Sequence, residues 1–260
     1  MSSHQWQWQT CSDAPYLTCS LLEGWQHGWL TQQFSPRSPF EITPDLFPGA
    51  TAYRVKQVHG NAVLTPSEMA SPLHNDNLSD GDGVMSQGPQ QAMWVCTADC
   101  TPVLIADVRT GQAAAVHAGW RGTAQKIVPI AIDRLLQSGS RLADLRVGMG
   151  PAVSGAAYQV DIAVGLETAI TIAPELAKLT PQQAIEQLQA KWNSPILVDG
   201  KVGKVRLDVR RVNALQLEQL GLKPEQISIA PHCTYGDPVH FFSYRRETRK
   251  KAQWSGIVSR

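Results

Sequence analysis

The chain has 260 residues, 43% hydrophobic and 17% charged, with a formal net charge of +1. That balance offers no basic surplus for a nucleic-acid backbone, and no apolar run approaches the roughly 18 residues of a membrane span. The start, MSSHQWQWQTCSDAP, lacks the basic-then-apolar order of a signal peptide, and the cysteines at 11, 19, 96, 100 and 233 make an odd set; the expectation is free thiols in a reducing cytoplasm.

In chain order, the N-terminal third is rich in Trp, Gln and Pro and reads as irregular. Residues 53–58 (YRVKQV) alternate and predict a strand ending at His59-Gly60, with Val63-Leu64 pairing nearby. A polar loop is expected over 65–79, then an Asp80-Gly81-Asp82-Gly83 turn and a short strand at Val84-Met85. The apolar runs 93–97, 103–108 and 112–117 predict buried strands, the last two joined as a hairpin at Arg109-Thr110-Gly111. Thr123 is placed to cap a helix reaching Gln137, with Pro129 predicting a kink or a later true start. A strand over 145–147 precedes helices over 161–173, 181–191 and 209–220, the last stopped by Gly221. Strands over 227–230 and 240–244 close the pattern, and the basic run at 245–251 reads as a solvated face. Strands, hairpins and helices mixed in this way predict an α+β fold, with mixed β-sheets flanked by helices in a single domain spanning 1–260.

Three stretches place a metal-type side chain at a strand end beside glycine or a tight turn: QVHG (57–60), TADC (97–100) and HAGWRG (117–122). Two imidazoles and one thiolate suit zinc, or copper after it, and three protein ligands leave a fourth position open for a reactant. Structural zinc sites usually complete four ligands, often in CxxC pairs, and this chain has no CxxC. Each stretch alone carries a plainer reading: His117 as a hydrogen-bonded core histidine, Cys100 as an inert buried thiol, His59 as a loop residue. Cys96 reads as core.

The ordered set of QVHG, SDGDGV (79–84), CTADCTPVLIAD (96–107), AAVHAGWRGT (114–123), HCTY (232–235) and FFSYRR (241–246) resembles the YfiH-type laccase-domain family, over residues 53–246. The resemblance implies a YfiH-like, toxin-deamidase-like fold and His59, Cys100 and His117 as zinc ligands. It further implies phosphorolysis of adenosine, inosine and methylthioadenosine, and deamination of adenosine. Purine nucleosides and phosphate are then the partners, with monomer and homodimer both open.

Zinc would lower the pKa of a bound water toward ~7, and a carboxylate is needed to move the proton. Asp99, Asp80 and Asp82 are the candidates, although turn chemistry alone accounts equally well for Asp80 and Asp82. Arg121, Arg245 and Arg246 are the candidates for phosphate, with Cys233 of HCTY placed beside the substrate; Arg121 can instead brace the site. The sequence departs from the family's GPxIGPxxYEV-like segment: GPAVSGAAYQV (150–160) carries Ser154-Gly155 and Gln159.

Two other readings use the same residues. The family's older name implies copper oxidation of phenols, but seven scattered histidines are too few for a multicopper laccase. Cys100 as a nucleophile with His117 as its base would give a hydrolase; the resemblance implies that possibility too, and with it a peptidoglycan-editing role.

Overall fold

The computed structural model describes residues 4–70, 77–191 and 193–260. Two six-stranded mixed sheets stack face to face. The first runs in the order Trp6–Cys11, Ala14–Cys19, His27–Leu30, Gln253–Val258, Gln91–Thr97, Thr51–Tyr53. The second runs Ile227–Ile229, Leu145–Met149, Thr101–Asp107, Ala113–Ala118, Gly83–Met85, Val63–Leu64. A third sheet of Gln159–Asp161, Lys204–Leu207 and Ile196–Leu197 carries its own core.

The two-residue period of a strand sorts side chains between layers. Met93 and Val95 face the core between the sheets, while Ala92 and Trp94 pack outward with Ile42 of the helix Pro39–Leu46. In the second sheet Leu104, Ala113 and Ala115 face that same inter-sheet core. Val103, Ile105, Ala114 and Val116 face the helices Ile127–Gln137 and Val209–Gln219. The hairpin of Thr101–Asp107 and Ala113–Ala118 is therefore covered on both faces, which explains its unbroken apolar sequence.

The hairpin, the strands near 84, 93, 145 and 227 and the helices near 181 and 209 agree with expectation. The N-terminal third does not: Trp6–Cys11 and Ala14–Cys19 form a hairpin paired from Trp6↔Cys19 to Cys11↔Ala14. The strand expected over 53–58 is laddered only over Thr51–Tyr53, followed by an isolated bridge from Lys56 to Asp80, and the N–H groups of Val58, His59 and Gly60 go to the Asp82 carboxylate. The helix expected from Thr123 is two helices, Trp120–Ala124 and Ile127–Gln137, broken at Lys126, which sits at φ +58°. Pro129 thus falls in a first helical turn, where no intrahelical donor is lost. The helix expected over 161–173 is Ile162–Ala169.

No strand forms over 240–244, since the Phe242 N–H is taken by the Gln253 side chain and Ser243 caps the short helix Tyr244–Glu247. The last strand is Gln253–Val258, in the middle of the first sheet. Part of the loop expected over 65–79 lies outside the described residues; within it Pro66–Glu68 is a short 3-10 turn. No described helix is long and apolar enough to cross a membrane.

Candidate metal centre

Strand register assembles the site. Thr101 pairs with Ala118 and Pro102 with His117, so Cys100, one residue before its strand, stands across from Gly119. Gly83 pairs with Val116, so Asp82 stands across from His117. Residues 98–100 are also where the chain crosses from the first sheet to the second, which sets Cys100 at the seam between them. His59 arrives on the segment after Thr51–Tyr53, held at φ +61°.

The three motifs meet. One ligand atom each from His59, Cys100 and His117 lie within 4.8 Å of one another, and the two imidazole rings stand 4.8 Å apart at 84°. His117 is buried, Cys100 half-buried and His59 exposed. The glycines of HAGWRG are each pressed against another motif. A Cβ on Gly119 would sit 2.8 Å from the Cys100 sulfur, and one on Gly122 would sit 2.9 Å from the Gly60 carbonyl. Side chains at either position would push the three stretches apart.

Asp82 ties the ligands together. It is fully buried, and its carboxylate accepts from the N–H groups of Val58 (3.2 Å), His59 (2.9 Å) and Gly60 (2.7 Å). It also meets His117 Nδ1 at 2.7 Å, while its own carbonyl accepts the His117 N–H at 2.7 Å. Burial pushes the Asp82 pKa up, but the bonds from His117, Gly60 and Val58 outweigh it, so the group stays ionised below the usual carboxylate range. An ionised partner at Nδ1 fixes the proton there and leaves Nε2 as the donor atom toward an ion.

Burial opposes ionisation of Cys100 too, yet the neighbouring His117 and His59 bring its thiol down. Burial also opposes the charged form of His117, and the Cys100 and Asp82 charges reverse that and raise it. The N₂S donor set, the Gly119 cradle and the carboxylate behind His117 fit a tetrahedral divalent ion of zinc type.

The remaining candidates separate by position. Asp99, at φ +94°, accepts from the Thr234 hydroxyl (2.7 Å) and the Arg245 N–H (2.6 Å), binding HCTY and SYRR to the ligand loop. Asp80 is exposed and paired with Lys56 at 3.1 Å. Arg121 is exposed, its guanidinium 4.4 Å from the ring of its neighbour Trp120. Arg245 lies 4.6 Å over Tyr158 and donates to the Gln159 carbonyl at 2.7 Å. The Arg246 guanidinium is occupied by the carbonyls of Thr234, Tyr235 and Phe241 and by Glu247. Cys233 accepts from the Ser154 N–H at 3.3 Å. The buried thiol of Cys96 is pushed up to about 11.

Two features were not visible in the sequence. Tyr158 reaches the charge field of Cys100, and burial followed by that charge pushes its hydroxyl up to about 12. The Gln159 amide donates to both oxygens of Asp199, at 2.9 and 3.0 Å. A glutamate at 159 would set two carboxylates face to face, which accounts for this departure from the family segment.

A family model described as multi-copper polyphenol oxidoreductase laccase matches residues 45–259. A Synechocystis protein named a purine nucleoside phosphorylase is 48% identical over 261 residues, covering 100% of this chain and 99% of that one. A protein from an unknown prokaryotic organism, named an adenosine deaminase, is 25% identical over 74% of this chain and 68% of its own length. The crystal structure of YlmD from Geobacillus stearothermophilus superposes with a TM-score of 0.79 at 22% identity, covering 97% of this chain and 98% of that one, which shows a shared fold.

Proposed function

The chain belongs to the multi-copper polyphenol oxidoreductase laccase family, and from that premise we propose that it is, over 1–260 as one domain, a zinc-dependent purine nucleoside phosphorylase that also deaminates adenosine. The observation that carries the reading is the convergence of His59, Cys100 and His117 within 4.8 Å, backed by the Asp82 carboxylate. Relatives named for nucleoside phosphorolysis and for adenosine deamination support it.

A zinc ion held there would supply Lewis acidity and an activated water near neutral pH. The protein's own residues do the rest. Asp82 holds the tautomer of His117 and the loop of His59, and its carboxylate is buried and fully engaged, so it positions the ligands and does not exchange protons with substrate. Asp99 is half-buried beside Cys100 and is the carboxylate left to hold or move a proton at the purine. Arg121 and Arg245 are exposed and present the cations for phosphate, each stacked on an aromatic ring that limits its rotamers. Arg246 braces the HCTY turn, placing Cys233 and Thr234.

Adenosine and inosine turnover, with and without phosphate, tests the reading alongside metal content by mass spectrometry. Expected are about one zinc per chain, phosphate-dependent release of base, phosphate-independent inosine formation from adenosine, and loss of all three in Cys100→Ala. Adenosine surviving both conditions, in protein carrying its metal, would refute it.

The closeness of the Cys100 sulfur to the His117 imidazole, within 4.8 Å, gives a second reading, a cysteine hydrolase. Metal-free protein that is alkylated at Cys100 and keeps its activity would favour that reading. The copper oxidase reading requires phenol oxidation that tracks copper content.

A further inference from the structure

Two concavities of about 370 and 380 Å³ share no lining residue with the metal centre. They differ in charge. The first carries one acid, Glu23, and no Lys or Arg. The second is lined by Arg37, Lys250, Lys251, Cys96, Gln253 and Trp254 among others, with no acidic residue. On a chain whose net charge is +1, three cations facing one hollow form a local excess that the overall composition does not suggest.

These cations are unequally compensated. Arg37 is paired with Asp45 at 2.5 Å. Among the described residues, Lys250 and Lys251 enter no ion pair, and neither does Arg54. Arg54, which does not itself line the hollow, stacks on one of its lining residues, its guanidinium 5.2 Å from the ring centre of Trp254. It is half-buried, and its Nε is buried without a hydrogen-bond partner. A partly buried cation with an unmet donor is costly to the folded chain unless an anion approaches it. The groove's volume lies in the range of small-molecule sites. Trp254 supplies an apolar wall, held in place by its indole N–H on the Arg37 carbonyl at 3.2 Å.

We propose that this groove binds a phosphate monoester of nucleotide size, its dianion held by Lys250 and Lys251 and its organic part resting against Trp254. Ammonium groups read phosphate as point charges, and the Arg54 guanidinium, fixed on the tryptophan, adds to the same field. The site adjoins the strand that leads into the metal centre. The Gln57 side chain clasps the backbone of Cys96 at both N–H and C=O (2.8 and 2.7 Å), two residues before His59.

Calorimetric titration of the full chain with AMP, ribose 5-phosphate, inorganic phosphate and adenosine tests the proposal, in wild type, Cys100→Ser and Lys250→Gln/Lys251→Gln. Both lysines are exposed, so the double variant should fold, and circular dichroism checks that it does. Expected is binding of AMP that Cys100→Ser keeps, that weakens about tenfold in the double lysine variant, and that falls with added salt. Equal binding of ribose 5-phosphate assigns the site to monoesters in general, and weaker binding assigns it to nucleotides; both support the proposal. Absence of AMP binding at millimolar concentration overturns it. So does binding that Cys100→Ser abolishes and the lysine variant keeps, or inorganic phosphate binding as tightly as AMP. Arg54→Gln gives an independent check, with an expected loss in the same direction. Nucleoside turnover by wild type is read separately, so failure here leaves the proposed activity standing.

Discussion

At the scale of single residues, the metal centre turns on Asp82 and Gly119. Asp82→Asn removes the charge that holds the His117 proton at Nδ1 and sets an amide NH2 against N–H groups that now meet a carboxylate oxygen. Loss of such a carboxylate typically costs 10–100-fold in metal affinity, so zinc competition against a chromophoric chelator should show a drop of at least about that size, with some loss of stability from the unpaired buried donors. Gly119→Ala tests the cradle: its new methyl would lie 2.8 Å from the Cys100 sulfur. The variant should lose zinc stoichiometry while its far-ultraviolet circular dichroism stays that of wild type. That His59, Cys100 and His117 belong together was legible in the sequence only from the ordered set of motifs, since each strand-end motif alone has a plainer reading, and the structure brings the three within 4.8 Å. The role of Asp82 was not legible. In sequence it is one aspartate of a DGDG turn, while its partners lie 22 to 35 positions away and meet it only through strand register.

At the scale of elements, the turn Pro66–Glu68 is fastened to the helix Ile127–Gln137 by Glu68 and Arg134, 2.7 Å apart. The Arg134 guanidinium, then the Thr65 N–H, bring the Glu68 carboxyl down to about 2. A carboxyl with a depressed folded-state pKa adds stability above its ordinary value near 4.5, and that stability is lost as pH falls from there toward 2. Because the Glu68 side chain is 43% exposed, solvent screening holds the effect to about 1 kcal/mol or less. Glu68→Gln should therefore lower stability to urea at pH 7 by about that amount, and the difference should vanish near pH 2. The helix break at Lys126 is a second such feature: a residue at φ +58° favours glycine, and Lys126→Gly should raise stability by about 0.5–1 kcal/mol. The proline at 129 announced this break in the sequence. The N-terminal hairpin did carry a sign, the WQWQ alternation that sets Trp6 and Trp8 on one face against Trp29 and Phe241, but it was hard to weigh because Trp6–Cys11 is largely exposed.

At the scale of the whole molecule, the sheets meet through a tryptophan laid on glycines. A Cβ on Gly148 would stand 2.7 Å from the Trp29 ring, and one on Gly150 would collide with that same indole. Within the first sheet, on its outer face, Gly256 leaves room for its cross-strand partner Trp94, 2.5 Å from where its Cβ would be. Gly150→Ala should cost about 3 kcal/mol by overpacking, visible as a lower urea midpoint. Gly256 hid the strand Gln253–Val258 from a reading by pattern. QWSGIV follows a basic run, and its small residues fit only because large neighbours on adjacent strands fill the space they leave.

The grading of the three ligands, from an open imidazole through a half-covered thiol to an enclosed imidazole, makes the centre one-sided. Gly119 packs against the sulfur and His117 is buried, so among the three His59 is the side chain open to solvent. A bound ion would be reached from the side of the exposed His59 imidazole and held from the other by His117, whose ring is anchored to Asp82.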